Sequence, residues 1–279
     1  MHIPPYSNSN RPIVDIDDVD VSLAYLNIVK LERGERFISN VPGYETCIVP
    51  ASGTIDVFTG SMRFSDVGVR GSVWDGDPSA VYIPLGAEAE IVSKSDRTEV
   101  FVAGARCTEV FQPFEVRPDQ IDQLQYGSDD TKTHRKIKHI LGKSSAGKVS
   151  RLLVSELLTV GAGGWSGFPT HKHDTDRPPI ETKHDEIYNF RFRPENGFGM
   201  QLLQEHEDDI GHAFQVVNGS TVKIGKGYHP SVAAPGYEMY YFTILAGQSQ
   251  RPLIQYFQPS HAYQLETIPG IKDMIAKFK

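Results

Sequence analysis

The feature that most constrains the fold is a succession of short, β-branched and aromatic runs separated by glycine and proline. In the first half these runs cover 21–37, 45–53, 54–58, 67–75, 80–86, 89–92 and 99–105. In the second half they cover 152–160, 186–192, 198–203, 212–217, 221–224 and 237–245. Short strands at regular spacing are typical of antiparallel barrels and sandwiches. The sequence therefore predicts an all-β chain.

The two halves repeat one plan at low similarity, which predicts two tandem antiparallel β-barrels or jelly rolls. Residues 45–49 align with 186–190, and residues 83–88 align with 224–229. With 279 residues, the chain has the length for one or two domains. We expect an N-terminal unit over 1–111, a linker over 112–148 and a C-terminal unit over 149–279. Glu88 stands where the second half has His229, so the first unit is expected to lack a metal site.

Charge and hydropathy narrow the function classes. The net charge of −7 and pI near 5.8 disfavour binding to nucleic acid or to anionic lipid. The basic stretch 132–143 is short and lacks interleaved aromatic residues, so we interpret it as a solvated or inter-domain surface. No run approaches the roughly 20 apolar residues of a membrane helix, and Cys47 and Cys107 form no disulfide framework. A cytoplasmic protein is expected.

A pair of histidines at 171 and 173 indicates a metal site. Side chains two residues apart share one face of a strand, so both imidazoles can reach one ion. A carboxylate at Glu186 and a third imidazole at His229 would complete a set of three nitrogens and one oxygen, leaving positions open for substrate. Asp185, Glu181 and His184 compete with Glu186. Strand phase favours Glu186, because it places Glu186 with three aromatic residues on the inner face.

These residues resemble the two cupin motifs, G(x)5HxH with a downstream glutamate and a glycine-rich turn that ends in histidine. Gly163 and Gly164 precede the histidine pair, and Gly227 precedes His229. The resemblance implies a divalent ion held by His171, His173, Glu186 and His229. Mixed imidazole and carboxylate ligation suits zinc first, with manganese and iron as alternatives.

Longer motifs resemble the 5-deoxy-glucuronate isomerase family of inositol catabolism, which is related to the 4-deoxy-L-threo-5-hexosulose-uronate ketol-isomerases. The segments that carry the resemblance are 71–76 with 80–84, 133–141, 164–174 (GWSGFPTHKHD), 226–230 and 236–247. The resemblance covers nearly the whole chain after about residue 15. It implies a bicupin that moves hydrogen between carbons 1 and 2 of a deoxy-uronate, most directly 5-deoxy-D-glucuronate to 5-dehydro-2-deoxy-D-gluconate.

Candidate residues for the chemistry around the ion are less constrained by the sequence. Tyr188 and Tyr241 are the candidate catalytic residues, although a metal-bound hydroxide could also act as the base. Gln201 is a candidate for substrate binding. A substrate carboxylate calls for a guanidinium, which Arg177, Arg191 or Arg193 could supply. Arg177 and Arg191 are the candidates for that role. Lys172, between the two histidines, is expected to point away from the ion.

Three other functions remain open from sequence alone. A related uronate ketol-isomerase would use the same site. A cupin dioxygenase would use the same ligands with iron, and oxygen uptake would distinguish it. A non-catalytic bicupin would bind a sugar acid without turnover. In each sugar-acid case the partner is a small molecule, and edge strands favour a homo-oligomer.

Overall fold

The structure, a computed structural model, describes residues 1–277 and is built mainly of strands. In the first half the strands are β1 (His2–Ile3), β2 (Pro12–Val14), β3 (Ala24–Leu31), β4 (Arg36–Ser39), β5 (Tyr44–Ser52), β6 (Ile55–Thr59), β7 (Met62–Val67), β8 (Ala80–Ile83), β9 (Ala89–Ser93) and β10 (Thr98–Arg106). They continue with β11 (Phe114–Val116), β12 (Asp122–Tyr126), β13 (Arg135–Leu141), β14 (Leu152–Thr159), β15 (Gly164–Ser166), β16 (His171–Lys172), β17 (His184–Arg193), β18 (Phe198–Leu203), β19 (His212–Val217), β20 (Thr221–Ile224), β21 (Ser231–Ala233), β22 (Glu238–Gly247) and β23 (Tyr256–Phe257).

Helices are few and short. Three 3₁₀ turns cover Pro118–Gln120, Lys143–Ser145 and Pro259–Leu265, and the α-helix α1 covers Ile271–Ala276. No helix within residues 1–277 is long and apolar enough to span a bilayer.

Each half of the chain is a sandwich of one large and one small antiparallel sheet. The first half pairs a six-stranded sheet, β11-β8-β5-β10-β3-β2, with a four-stranded sheet, β4-β9-β6-β7. The second half pairs a seven-stranded sheet, β1-β20-β17-β22-β14-β13-β12, with a four-stranded sheet, β15-β21-β18-β19. The short pair β16-β23 lies beside the second sandwich and carries His171.

The two large sheets also pack against each other, which explains why their central strands are apolar on both faces. Along β10, Val100 and Val102 enter the core of the first sandwich, whereas Phe101 enters the core shared by the two halves. Phe101 stacks on Phe242 of β22 with ring centroids 4.4 Å apart. Because side chains alternate between the two faces of a strand, β10 contributes residues to two cores.

Two buried carboxylates join the halves. Glu45, fully buried on β5, accepts hydrogen bonds from the backbone amides of residues 150–152 at 2.5–2.9 Å and from the Tyr82 hydroxyl at 2.6 Å. Glu156, fully buried on β14, accepts two hydrogen bonds from Arg70 at 2.5 and 3.0 Å and one from Tyr240 at 2.9 Å. Each carboxylate thus accepts hydrogen bonds from groups of both halves, which fixes how the two large sheets are placed.

The prediction of an all-β fold with two tandem jelly-roll units is confirmed, although the sheets of each unit do not close into barrels. The strand predicted over 67–75 is wrong: β7 ends at Val67, and 68–79 is irregular. Gly68 has φ +88°, and a Cβ there would lie 2.7 Å from the Gly53 carbonyl oxygen. The chain leaves the sheet at this point, which brings Arg70 to Glu156.

The segment 112–148 contains three strands rather than an unstructured connector. β11 pairs with β8 in the first half, and β12 and β13 extend the large sheet of the second half. At the other end of the chain, β1 pairs with β20, so the first residues lie on the second sandwich. The division into 1–111, 112–148 and 149–279 stays a prediction.

Candidate metal centre

Three histidines predicted as ligands converge inside the second sandwich. Their ligating nitrogen atoms lie within 4.8 Å of one another. His171 is on β16, His173 follows that strand, and His229 follows β20 across the sandwich. The His229 ring centroid lies 5.0 Å from that of His171 and 4.9 Å from that of His173. All three side chains are buried, so the cluster is shielded from bulk water.

Backbone carbonyls orient each ring in the same way. Nδ1 of His171 donates to the Pro169 oxygen at 3.2 Å, and Nδ1 of His173 donates to the His184 oxygen at 3.0 Å. Nδ1 of His229 donates to the carbonyl oxygen two residues earlier at 2.8 Å. A carbonyl can only accept, so Nδ1 carries the proton and the Nε2 lone pair points into the cluster. Outer partners of this kind are typical of metal-binding histidines.

Glu186 lies among the imidazoles. Its Oε2 is 3.1 Å from His173 Nε2 and 3.2 Å from His229 Nε2. Its Oε1 accepts a hydrogen bond from the Thr243 hydroxyl at 2.8 Å. Glu186 begins the inward set of β17 that continues with Tyr188, the phase that the sequence pattern predicted. The four predicted ligands therefore meet in one place.

The electrostatics favour a neutral His171 beside an ionised Glu186. Burial, together with His229 and His173, lowers the pKa of His171 to about 3. Burial alone would raise the pKa of Glu186, but the adjacent His173 and His229 imidazoles outweigh it and hold that pKa well below its ordinary value. For His173 burial lowers the pKa, yet Glu186 outweighs burial and raises it. Glu186 and His173 together thus form a site that attracts positive charge.

The donor set fits a divalent cation. His229 Nε2 is buried, makes no hydrogen bond within the described chain, and lies 3.2 Å from an anionic oxygen of Glu186. A lone pair facing a carboxylate is repulsive unless positive charge lies between them. Three imidazoles and one carboxylate are the ligand types of zinc, manganese and iron sites.

The three rivals of Glu186 have other partners. Asp185 accepts from the Leu23 amide at 3.0 Å and pairs with Lys183 at 2.7 Å, on the side facing the first half. Glu181 pairs with Arg177 at 2.9 Å. The His184 ring lies between backbone carbonyls, with Nε2 3.1 Å from the oxygen of residue 251. None of these groups is in the cluster.

A small cavity of about 40 Å³ adjoins the cluster and is lined by both predicted catalytic tyrosines. The Tyr188 and Tyr241 rings lie 4.4 Å apart, and the Tyr241 hydroxyl is 2.5 Å from the Ser166 hydroxyl. Burial raises the pKa of both phenols above the ordinary value. Both phenols therefore hold their protons at neutral pH.

The residues predicted to bind substrate lie outside this cavity. Gln201 donates to the His229 carbonyl oxygen at 2.7 Å and so supports the backbone of a ligand. Arg177 pairs with Glu181, and Arg191 pairs with Glu99 of the first half at 2.8 Å. Lys172 pairs with Asp174 at 2.6 Å and points away from the cluster, as alternation requires.

Sequence reasoning missed the C-terminal wall of the site. Gln255 Nε2 lies 2.9 Å from His171 Nε2, and Phe257 packs on the His171 ring with centroids 5.7 Å apart. Leu253 and Met274 close the cavity from the same side. β23 has only two residues, too few for a periodic pattern, so no sequence signal pointed to this segment.

A model of the KduI/IolB family matches residues 2–264. The chain belongs to this family. A 5-deoxy-glucuronate isomerase from Geobacillus kaustophilus is 30% identical over 88% of this chain and 88% of its own length. A 5-deoxy-glucuronate isomerase from Listeria monocytogenes serotype 4b is 28% identical over 91% of this chain and 92% of its own length. The chain is an isomerase of this family.

Solved structures agree with the fold. A crystal structure of an IolB-like protein from Salmonella typhimurium LT2 matches with a TM-score of 0.86 and 27% identity, over 94% of this chain and 98% of the other. Oxalate decarboxylase from Bacillus subtilis matches with a TM-score of 0.63 and 11% identity, over 95% of this chain and 83% of the other. The second match shows the cupin fold alone.

Proposed function

We propose that this protein is a metal-dependent aldose–ketose isomerase that converts 5-deoxy-D-glucuronate to 5-dehydro-2-deoxy-D-gluconate. The observation that carries the proposal is the buried convergence of three imidazole nitrogens and the Glu186 carboxylate beside a cavity with two protonated tyrosines. The names of the family's curated relatives supply the substrate. A related uronate is the nearest alternative.

Hydrogen transfer between carbons 1 and 2 of the substrate needs residues that hold the ion and residues that contact the substrate oxygens. His171, His173, Glu186 and His229 would hold the ion, which when bound supplies a Lewis acid that polarises the carbonyl. The Thr243 hydroxyl and the backbone carbonyls keep these ligands in place. Zinc is the first candidate for the ion, with manganese and iron next.

The tyrosines act on the substrate oxygens. A proton leaves the carbon beside the carbonyl, and negative charge develops on the two neighbouring oxygens. Tyr188 and Tyr241 are protonated and buried, so either can donate a hydrogen bond or a proton to such an oxygen. Apolar side chains along the cavity, among them Leu157 and Leu245, exclude bulk water. The group that removes the proton from carbon is left open.

Elemental analysis followed by an isomerisation assay on a panel of deoxy-uronates tests this proposal. We expect His171→Ala and His229→Ala to lose both metal and turnover, and His212→Ala, an exposed histidine on β19, to retain both. Full metal content with unchanged turnover in the first two variants would defeat the proposal. Oxygen uptake during turnover would replace it with a dioxygenase.

Location and assembly complete the proposal. Cys47 and Cys107 are both unpaired thiols, which suits the reducing conditions of the cytoplasm. A homo-oligomer formed through edge strands such as β12 is the expected assembly, and light scattering on the purified protein measures it.

A further inference from the structure

One buried arginine lacks the partners that its charge requires. The structure buries three arginines in the described chain: Arg70, Arg135 and Arg251. Arg70 has the Glu156 carboxylate, and Arg251 donates to three carbonyl oxygens and a serine hydroxyl. Arg135 is 1% exposed, yet it makes one hydrogen bond, from Nη2 to the Gly164 oxygen at 3.0 Å.

The rest of the Arg135 guanidinium is unsatisfied. Nε and Nη1 have no hydrogen-bond partner, and no carboxylate within residues 1–277 lies within ion-pair distance of the group. Burial lowers the pKa of Arg135, but a guanidinium stays charged in proteins. A buried, unpaired cation destabilises the fold, so its presence indicates an anion that arrives from outside.

Arg135 lies beside residues of the metal cavity and of an outer cleft. Ile137, two residues later on β13, lines the metal cavity. Thr133, two residues earlier, lines a cleft of about 420 Å³ on the protein surface. Side chains two residues apart in a strand share a face, so Arg135 lies on the face of β13 that Ile137 presents to the metal cavity, at the end of the strand nearer to Thr133. Phe168 lines both the cleft and the cavity.

The neighbours of Arg135 belong to the active site. Arg135 is the register partner of Tyr126 on β12, and Tyr126 lines the metal cavity. Tyr241, which also lines it, is near enough to Arg135 to affect its pKa. The cavity of about 40 Å³ is far smaller than a ligand site of about 300–1,000 Å³. A six-carbon sugar acid therefore needs space beyond the metal cavity, and the cleft that Phe168 also lines is such a space.

We propose that Arg135 binds the carboxylate of the sugar-acid substrate. This inference rests on the proposed function only in taking the ligand to be a sugar acid. The planar fork of a guanidinium matches a carboxylate with two parallel hydrogen bonds, formed by Nη2 together with either Nε or Nη1. In Arg135 both Nε and Nη1 lack a partner, and Nη2 has a second N–H besides the one that donates to Gly164. Binding then supplies the counter-charge that the folded chain lacks, and it fixes which end of the substrate faces the metal ligands.

Substitution separates this role from a structural one. Arg135→Met removes the charge at similar length. We expect unchanged metal content, a raised melting temperature because an unpaired buried charge is gone, and a KM about 10- to 100-fold higher, the scale of lost charge-assisted hydrogen bonds. The KM of Arg135→Lys should lie between those of the wild type and Arg135→Met, since lysine keeps the charge but lacks the planar fork. The matched variant Arg70→Met should lower the melting temperature, because it strands the Glu156 carboxylate.

A binding measurement tests Arg135 without turnover. Calorimetry on the metal-loaded protein with D-glucuronate and with D-glucose compares an acid with its neutral counterpart. The wild type should prefer the acid by about 10-fold or more, and Arg135→Met should lose that preference. Absence of turnover on every deoxy-uronate would defeat the isomerase and leave this comparison valid.

Three results would overturn the role of Arg135. The first is a preference for D-glucuronate that persists in Arg135→Met, and the second is a wild type that shows no such preference. The third is an Arg135→Met protein that is insoluble or less stable, because the guanidinium would then support the fold.

Discussion

Replacing Glu45 by glutamine should weaken the junction between the two halves. One carboxylate oxygen accepts the amides of Arg151 and Leu152 at 2.5 and 2.8 Å, and the other accepts the amide of Ser150 at 2.9 Å and the hydroxyl of Tyr82 at 2.6 Å. Glutamine has one accepting oxygen instead of two. If the glutamine NH₂ group takes the place of the oxygen near Tyr82, the Tyr82 hydroxyl can rotate and accept a hydrogen bond from it. The Ser150 amide can only donate, so it is left without an acceptor.

The expected loss follows from these contacts. One buried amide left without an acceptor costs about 2 kcal/mol, and the hydrogen bonds that remain lose the benefit of a charged acceptor, which costs about 2 kcal/mol more. The free energy of unfolding should therefore fall by about 4 kcal/mol. At about 2 °C per kcal/mol for a chain of this length, the melting temperature should fall by roughly 8 °C.

Urea unfolding followed by tryptophan fluorescence measures this loss. Trp74 packs on Tyr240 across the junction with ring centroids 6.0 Å apart, so a Trp165→Phe background reports the junction alone. Tyr82→Phe is the matched control: it removes one donor, leaves no amide unsatisfied and should cost about 1.5 kcal/mol. A Glu45→Gln protein within about 1 kcal/mol of the wild type would refute the reasoning.

Three further predictions concern the metal ligands and the contact between halves. Thr243→Val removes the hydroxyl that holds Glu186 and should weaken metal affinity about 10-fold in a chelator competition. Gly227→Ala should lower stability by about 1–3 kcal/mol and weaken metal binding, because Gly227 has φ +87° and a Cβ there would lie 2.7 Å from a backbone oxygen. Burial alone would raise the pKa of Glu99, but Arg191 and a nearby lysine outweigh it and lower that pKa. Its stabilising effect is therefore present above the ordinary value of 4.5 and is lost as pH falls through the lowered pKa, so the urea midpoints of the wild type and Glu99→Gln should converge in acid.

Each of these three predictions has a control variant or a result that would contradict it. Thr243→Ser keeps the hydroxyl and should keep the affinity; equal loss in both variants would point to packing instead. Gly34→Ala carries the same kind of strain, with φ +81° and nothing within 4 Å of the added Cβ, so an equal effect at Gly34 and Gly227 would exclude the steric argument. For Glu99, a difference between midpoints that grows in acid would contradict the sign of the pKa shift.

The sequence by itself determined several of the strands and the four candidate ligands. Alternation with period two is a local property, so β18, β19 and β20 begin and end where the pattern predicted. The same property gave the phase of β17 and placed Glu186 on the side of His173 and His229. Local spacing is enough for such inferences because strand geometry converts it directly into direction.

The tertiary structure decided what aligned residues do. Glu45 occupies the repeat position of Glu186, yet it accepts backbone amides of the other half, whereas Glu186 faces imidazoles. Arg135 lay in a segment expected to be a linker, and Gln255 in one with no periodic pattern. In the structure β13 pairs Arg135 with Tyr126, which lines the cavity, and Gln255 lies next to β23 and contacts His171. A sequence pattern says which face a residue occupies. Only the packing of sheets far apart in the chain sets which partners that face meets, and hence which buried charge is left for a substrate to neutralise.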